Sequence, residues 1–377
     1  MAEALSEIGV TVETVPETCT IRVIGGGGTF NRTDKPLFIG NAGTAMRFLA
    51  AALTLGKGTY ILDGIARMRE RPIQELIKAL SALGAGIRST IHEGHPPVLI
   101  TGGTLNGGRA SFSGKISSQY ISAVMISAPY AGRPVHIEIQ REPVSRPYLA
   151  MTRSVMQAFG VEISADETYR HISIQPGGGY SGRCFHIESD ASSASYFFAA
   201  AAVVGGSVTV EGLSRSSIQG DIGFVDALVN MGCRAEWGGN AVTVSREGEL
   251  KGLDIDMRHI SDTAPTLCMV ALYAKGATRI RGVASMRVKE SDRISALCAE
   301  LSRMGARVDE HADGLTIYPA AVYHPARIET YDDHRMAMSF AVAGLGTDGV
   351  EILDPGCTAK TFPDFFARFA PLTGGIQ

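Results

Sequence analysis

Two short blocks near the C-terminus combine cations and carboxylates at close spacing. They are KESDR at 289–293 and YDDHR at 331–335, in a chain of which only 19% of the residues are charged. A third block, DPGCTAKTFPD at 354–364, adds Lys360. Cations bind anionic groups and carboxylates transfer protons, so these blocks predict a site that does both. They are too short and too mixed in sign for a nucleic-acid surface.

The overall composition limits the class of protein. A length of 377 residues exceeds what one hydrophobic core supports, which predicts two domains. The net charge of −3 argues against a broad polyphosphate-binding surface, so we expect no nucleic-acid partner. The six cysteines and nine histidines show no spacing typical of a metal site. We expect a cytoplasmic chain with no membrane association, because no signal peptide and no spanning apolar run is evident.

An internal repeat runs through the chain. Five amphipathic segments end in a glycine followed by a β-like stretch, with glycine separations of 75, 76, 72 and 73 residues, at Gly9, Gly84, Gly160, Gly232 and Gly305. Glycine at such a position predicts the left-handed conformation that ends many helices. Five recurrences at nearly one spacing indicate internal duplication.

Each repeat contains an earlier helix as well. Polar residues suited to begin helices precede the next glycine by 43, 43, 42 and 43 residues, at Asn41, Ser117, Asp190 and Asp262. Short Val-, Ile- and Thr-rich runs between the helices predict strands. The repeat therefore predicts β-α-β-α-β-β units in an α/β fold, with an N-terminal lobe at 1–187 and a C-terminal lobe at 188–377. Such units can pack around a shared axis.

The same offset has a consequence for the first repeat. The helix that precedes Gly9 should have a partner that begins before Met1. We therefore expect a truncated first repeat that lacks its N-terminal half.

The polar helix starts predict anion binding, because helix N-termini carry free N–H groups and a partial positive charge. Gly43 would allow close approach of a ligand to the backbone, and 117–119 (SSQ) offers two hydroxyls and an amide. A bound anion would relieve the repulsion between Lys289 and Arg293. The alternatives are an ordinary helix cap at 117–119, a solvated helical turn at 289–293 and a capping group at 332–335.

Together these motifs carry a resemblance to a known family. NAGTAMR, RERPI, SSQ, SRPY, DASSASY, KESDR, DDHRMAM and DPGCTAKTFPD occur in unbroken order. The chain resembles the 5-enolpyruvylshikimate-3-phosphate synthase family, or 3-phosphoshikimate 1-carboxyvinyltransferases, from about residue 1 to 370. The resemblance implies a shikimate-pathway enzyme of aromatic amino acid biosynthesis, and a target of glyphosate. It also implies the two-domain enolpyruvyl transferase fold of βαβαββ units around pseudo-threefold axes.

The resemblance implies the substrates shikimate 3-phosphate and phosphoenolpyruvate, with no cofactor and no metal. The residues expected to hold the phosphate of shikimate 3-phosphate are Ser117, Ser118, Gln119, Ser145, Tyr148 and Lys289. Asp262 would bind the shikimate hydroxyls and accept the proton of the attacking 5-hydroxyl, and Ser285 would line the same ring.

The resemblance also implies a set of residues for phosphoenolpyruvate. The expected binding residues are Gly43, Arg71, Arg293, Arg335 and Lys360. Arginine suits this role because its planar, permanently charged guanidinium matches carboxylate and phosphate groups. Glu290 is expected to protonate the enolpyruvyl methylene, with Lys360 as the alternative proton donor.

Two departures from the family pattern modify these expectations. The Lys-Ser…Arg motif of the family's first repeat is absent, so we expect an isolated chain that is weakly active or inactive unless a separate N-terminal peptide completes it. Phe48 stands where relatives usually have proline, which suggests altered sensitivity to glyphosate.

Two other functions compete with this one. One is the UDP-N-acetylglucosamine enolpyruvyl transferase activity, which shares the fold and typically uses a loop cysteine as acid. The other is a non-catalytic remnant, or a partner subunit of a split enzyme. Apart from such a partner, we expect a monomer.

Overall fold

The computed structural model describes residues 1–103, 105–115 and 117–373, which fall into two units, Met1–Phe185 and His186–Gln377. We call them the first unit and the second unit. The predicted boundary at 187 lies close to this division, and the assignment of two lobes remains a prediction.

The described part of the first unit contains six helices and ten strands. In chain order these are α1 Ala2–Glu7, β1 Thr11–Val15, β2 Thr20–Ile24, β3 Leu37–Phe38, α2 Gly43–Ala52, β4 Thr59–Asp63, α3 Ala66–Glu70, α4 Gln74–Ala82, β5 Gly86–Ser89, β6 Val98–Thr101, β7 Gly108–Phe112, α5 Ser118–Ser127, β8 Val135–Ile139, α6 Arg146–Ala158, β9 Ile163–Ala165 and β10 His171–Ile174.

The described part of the second unit contains six helices and eleven strands. In chain order these are α7 Ala191–Val204, β11 Gly206–Glu211, α8 Phe224–Met231, β12 Arg234–Trp237, β13 Ala241–Arg246, β14 Leu250–Lys251, β15 Asp254–Asp256, α9 Ala264–Ala271, β16 Ala274–Lys275, β17 Thr278–Arg281, α10 Arg293–Arg303, β18 Arg307–His311, β19 Gly314–Tyr318, β20 Ala326–Ile328, α11 His334–Ala343, β21 Val350–Ile352 and α12 Phe365–Phe369.

The sheets repeat one strand order. Three four-stranded sheets have the orders β3-β4-β6-β5, β7-β8-β10-β9 and β15-β17-β19-β18. In each, the first two strands are parallel and the other pairs are antiparallel. A parallel pair needs a crossover helix and the last pair needs only a turn. The β-α-β-α-β-β unit predicted from the sequence is therefore confirmed.

The glycines that mark the repeat adopt the predicted conformation. Gly9, Gly84, Gly160, Gly232 and Gly305 have φ values of 85°, 89°, 88°, 112° and 93°. A side chain is disfavoured in this left-handed region, so glycine ends each helix at little steric cost. The predicted helix ends are confirmed.

Each unit has its own hydrophobic core. In the second unit the equivalent helices α7, α9 and α11 contact one another pairwise, as expected for a pseudo-threefold arrangement. All eight residues of α9 are buried. A helix that is apolar all round must be covered on every side, which explains why these helices are central and the sheets are peripheral.

The predicted helix starts are correct in two cases and wrong in two. Ser117 and Asp190 cap α5 and α7 through their side chains. By contrast, α2 begins after Ala42 rather than at Asn41, and α9 begins after Thr263 rather than at Asp262. The side chains of Asn41 and Asp262 accept hydrogen bonds from cationic side chains.

Across the described residues, the longest and most apolar helices still fall short of what a bilayer crossing requires.

Candidate functional site

A cluster of charged side chains forms within the second unit, and each member lies at or beside the start of a helix or the end of a 3-10 helix. We define the charged cluster as Asp262, Lys289, Glu290, Arg293, Asp333, Arg335 and Lys360. The turn before α9, the starts of α10 and α11, and the 3-10 helix Pro355–Lys360 supply its residues. The three sequence blocks with mixed charge therefore converge, together with the residue that precedes α9.

Arg293 is the centre of the charged cluster, with a side chain only 1% exposed. Its Nε lies 2.8 Å from Asp333 Oδ2 and its Nη2 lies 3.0 Å from Asp333 Oδ1, which makes a bidentate pair. Nη2 also donates to Glu290 Oε2 at 2.9 Å, and Nη1 lies 3.4 Å from Asp262 Oδ1. A buried guanidinium is tolerated only with such paired carboxylates.

Asp262 is surrounded by three cations. Lys289 Nζ donates to its Oδ1, and Arg335 Nη2 donates to its Oδ2 at 3.0 Å. Burial would raise the pKa of Asp262, but the charges of Arg335, Lys289 and Arg293 outweigh burial and hold the pKa far below its usual range. In this state the carboxylate is a weak base, and an anion that draws these cations away would raise its pKa.

Glu290 links the buried centre of the charged cluster to its more exposed edge. Its Oε1 accepts from Lys360 Nζ at 2.5 Å, and its Oε2 accepts from Arg293. The side chain of Glu290 is 12% exposed and that of Lys360 is 28% exposed. The two proton donors considered from the sequence are therefore hydrogen-bonded to each other.

Two members of the site were not among the predicted binding residues. Asp333 is fully buried, and its Oδ1 also accepts from the Arg335 backbone N–H, so it is the predicted helix cap and an ion-pair partner at once. The signal for it was the DDHR block itself. Tyr196 OH lies 3.5 Å from Arg335 Nη1, and burial raises the pKa of Tyr196 to about 12. Tyr196 lies in the apolar helix α7, where nothing in the sequence indicates this contact.

His334 follows Asp333 and is buried. Burial, together with the charges of Arg335 and Arg293, lowers the pKa of His334 to about 3. The imidazole is therefore neutral at physiological pH.

The first unit holds a second group of predicted residues around the start of α2. Arg71 is buried and its Nη1 donates to the backbone oxygen of Asn41 at 2.9 Å and to Asn41 Oδ1 at 3.1 Å. A Cβ at Gly43 would lie 2.5 Å from Arg71 Nη2 and 3.1 Å from Arg47 Nη1. Glycine at 43 is therefore required for the two guanidinium groups to approach the backbone. Phe48 packs, partly buried, against the core of this unit.

The SSQ motif lies at the start of α5. Ser117 Oγ accepts from the Gln119 backbone N–H at 3.2 Å, and Gln119 Nε2 donates to Thr44 Oγ1 at 3.0 Å. This hydrogen bond joins the start of α5 to the start of α2, and the two helices pack together. Ser118 is buried in the first turn of α5.

The remaining predicted binding residues lie at the start of α6 and in a 3-10 helix of the second unit. Ser145 precedes α6 with φ 56°, and Tyr148 lies in the first turn of α6, which packs against α5. Ser285 is half-buried in the 3-10 helix Ala284–Val288 of the second unit, four residues before Lys289. Ser285 lies outside the charged cluster.

Comparisons with known proteins give one consistent family. The family model described as EPSP synthase (3-phosphoshikimate 1-carboxyvinyltransferase) matches residues 1–369. Relatives with the name 3-phosphoshikimate 1-carboxyvinyltransferase in Vibrio atlanticus and Sulfurovum sp. are 48% and 47% identical. Those alignments cover 99% and 97% of this chain and 88% and 86% of the relatives. Two solved structures of EPSP synthase from Acinetobacter baumannii match with a TM-score of 0.78 at 28% and 27% identity, over 98% of this chain and 86% of theirs.

The ion pair of Arg293 predicts a large effect of Asp333→Asn on stability. The substitution leaves a buried guanidinium with one neutral partner, and we expect the free energy of unfolding to fall by about 3–5 kcal/mol in denaturant titrations. Asp34→Asn is the matched control, because the Asp34 side chain is 84% exposed, and it should change stability by less than about 0.5 kcal/mol. A loss below 1 kcal/mol in Asp333→Asn would contradict the role assigned to this pair.

The same substitution should alter the pH dependence of stability. Burial would raise the pKa of Asp333, but Arg293 outweighs burial and holds the pKa below its ordinary value. Its contribution is therefore complete above about pH 4, the unfolded-state value, and declines as pH falls below that value. Asp333→Asn should show a flatter acid limb of the stability curve than the wild type.

Proposed function

We propose, since this chain belongs to the EPSP synthase (3-phosphoshikimate 1-carboxyvinyltransferase) family, that it transfers the enolpyruvyl group of phosphoenolpyruvate to the 5-hydroxyl of shikimate 3-phosphate and releases phosphate. The fold is that of the enolpyruvyl transferases. The observation that carries the proposal is the charged cluster, in which four cations are held beside three carboxylates within one hydrogen-bonded network.

The charged cluster suits the reaction because both substrates carry a phosphate and a carboxylate. Arg293, Arg335 and Lys360 are proposed to bind phosphoenolpyruvate, and Lys289 is proposed to bind the phosphate of shikimate 3-phosphate. The substrate anions would replace contacts that these cations now make with carboxylates. Little net charge is needed on the protein, in keeping with its value of −3.

The proton transfers are assigned to carboxylates of the same network. Glu290, or Lys360 to which it is hydrogen-bonded, would protonate the methylene carbon of phosphoenolpyruvate, which generates cationic character at C2. The 5-hydroxyl oxygen would attack C2 while Asp262 accepts its proton. Loss of phosphate and of a methyl proton would then restore the double bond in the product.

Asp262 can accept a proton only after its surroundings change. Its pKa is held far below the usual range while Arg335, Lys289 and Arg293 face it. Two of these cations are proposed to bind phosphoenolpyruvate and the third to bind the shikimate phosphate. Substrate binding would therefore raise the basicity of Asp262 at the stage when a base is needed.

The first unit is proposed to supply further binding groups. Ser117, Ser118 and Gln119 lie at the N-terminus of the ten-residue helix α5, where backbone N–H groups favour a phosphate. Ser145 and Tyr148, at the start of α6, are assigned to the same phosphate. Arg71, beside Gly43, is assigned to phosphoenolpyruvate, and Ser285 of the second unit to the shikimate ring.

The expected missing half-repeat and separate peptide receive no support from the comparisons, which match 99% of this chain and 88% of a relative. The predicted weak activity of the isolated chain remains a prediction. This prediction of weak activity does not depend on which residues are assigned to substrate binding and proton transfer.

Steady-state assays of the purified chain test the reaction. We expect phosphate release that requires both substrates, with an enolpyruvyl ether product detectable by mass spectrometry. Ordinary turnover without any added polypeptide would contradict the predicted need for a peptide. Turnover with UDP-N-acetylglucosamine in place of shikimate 3-phosphate would contradict the proposed acceptor, and binding of both substrates without turnover would favour a non-catalytic remnant.

Two substitutions test the phosphoenolpyruvate residues. Arg335→Ala and Lys360→Ala should each weaken binding of phosphoenolpyruvate by about 2–4 kcal/mol, because each removes a charge-paired cation. Calorimetry in the presence of shikimate 3-phosphate measures the change. Arg327→Ala and Lys275→Ala are matched controls, because both side chains are at least 70% exposed and form surface ion pairs. Wild-type affinity in both test variants would refute the placement.

Gly43→Ala tests the binding group of the first unit. The added Cβ would meet Arg71 Nη2 at 2.5 Å and must displace that guanidinium. We expect the KM for phosphoenolpyruvate to rise about tenfold, the size of effect that follows from displacing a positioning group by a fraction of an ångström to one ångström. The KM for shikimate 3-phosphate should change less. Gly239→Ala, where a Cβ would meet nothing within 4 Å, is the control.

A further inference from the structure

The segment between β20 and α11 contains a strained turn. Asp333 N–H donates to the backbone oxygen of Thr330 at 2.9 Å, and the two central residues, Tyr331 and Asp332, have φ values of 56° and 51°. Positive φ at both central positions is the pattern of a type I′ turn, which favours glycine, asparagine or aspartate. Aspartate tolerates this conformation, but tyrosine in it costs of order 1–2 kcal/mol. The surrounding structure must therefore impose the turn.

The turn leads directly into the charged cluster. Its last residue is Asp333, the bidentate partner of Arg293, and Arg335 follows in the first turn of α11. A relaxation of Tyr331 and Asp332 to negative φ would rotate the backbone at Asp333. The position of two members of the charged cluster thus depends on the unfavourable conformation of the residues before them.

Glu300 contacts the other end of the same turn. Its side chain is fully buried in α10. Its Oε1 accepts from Tyr331 OH at 2.8 Å, and its Oε2 accepts from the Glu329 backbone N–H at 3.2 Å. Arg303 Nη2 donates to Glu300 Oε1 at 3.3 Å, and Arg303 Nε lies 3.0 Å from Glu300 Oε2. Four donors thus meet the two oxygens of one buried carboxylate.

Glu300 and Arg293 lie seven residues apart in α10, which places them on one face of the helix, two turns apart. Arg293 binds Asp333 at the end of the turn, and Glu300 binds Tyr331 and Glu329 at its beginning. One rigid helix therefore holds the 329–333 segment at two points. Two attachments at a fixed spacing are what a strained turn needs in order to persist.

We propose that Glu300 is a positioning residue for the reaction, which acts by holding the turn through the Tyr331 hydroxyl and the Glu329 N–H so that Asp333 and Arg335 keep their places in the charged cluster. Glu300 itself lies outside the charged cluster and would act on it through the turn. The inference rests on the proposed function for its kinetic consequence, but the hold on the turn is a property of the fold alone.

Kinetics of Glu300→Ala, Glu300→Gln and Tyr331→Phe test the consequence. We expect the KM for phosphoenolpyruvate to rise about tenfold to a hundredfold in Glu300→Ala, and less in Tyr331→Phe, which removes only a hydroxyl. Glu300→Gln keeps one acceptor oxygen and should fall between them. The KM for shikimate 3-phosphate should change by less than threefold. The double variant Glu300→Ala/Tyr331→Phe should match Glu300→Ala, because both changes break the same bond.

Rescue separates positioning from general stability. Asp332→Gly makes the turn more favourable, because glycine adopts positive φ at a lower steric cost than aspartate. In the double variant Glu300→Ala/Asp332→Gly, the decrease in the logarithm of kcat/KM should be at most half of the decrease in Glu300→Ala. Arg303→Lys is the matched control, since it keeps a cation beside the buried carboxylate of Glu300 and leaves its bonds to the turn. It should keep wild-type kinetics.

Hydrogen exchange of peptides that cover 329–335 provides a readout independent of activity. The amides of Asp333 and Arg335 are hydrogen-bonded in the turn and the cap, so exchange there should accelerate in Glu300→Ala and Tyr331→Phe but not in Arg303→Lys. Binding of both substrates without turnover in the wild type would count against the proposed function, whereas accelerated exchange would still support the hold on the turn. Wild-type exchange at 329–335 in folded Glu300→Ala or Glu300→Gln would overturn the inference, as would wild-type kinetics in an active enzyme.

Discussion

The second unit depends on one requirement, that the buried charge of Arg293 be neutralised. A guanidinium removed from water is costly to bury, and here Asp333, Glu290 and Asp262 surround it. Each of these carboxylates comes from a different place in the chain or contacts another cation. Satisfying one buried charge therefore brings three helix starts and a 3-10 helix to a common point. The charged cluster is as much a structural centre as a binding surface.

Features with a local physical cause were predictable from the sequence. The glycines that end the helices have positive φ, which glycine adopts at little steric cost. Their spacing in the sequence therefore revealed both the repeat and its period. The β-α-β-α-β-β order followed from the same spacing. The charged blocks at 289–293 and 331–335 were also visible, because each combines cations and carboxylates within five residues.

Features with a distant cause were not predictable. Asn41 and Asp262 have the side chains of good helix caps. Each of them accepts a hydrogen bond from a cation 30 or more residues away, and the helices begin later. The contact of Tyr196 with Arg335 spans 139 residues, and that of Glu300 with Tyr331 spans 31. Hydrophobic periodicity places such residues in a helix but does not indicate which polar atom lies opposite. Only the packed structure shows that Asp333 serves as cap and counter-ion together.

The carboxylates of the charged cluster also determine which solutes can compete for its cations. Each cation already contacts a carboxylate of the charged cluster, so a chloride ion or a lone acetate can displace only one contact and gains little over what it removes. A molecule with two anionic groups at a suitable spacing can replace several contacts in a single encounter, and the second replacement is then intramolecular. The carboxylates of the charged cluster thus favour ligands with two anionic groups over simple monovalent anions.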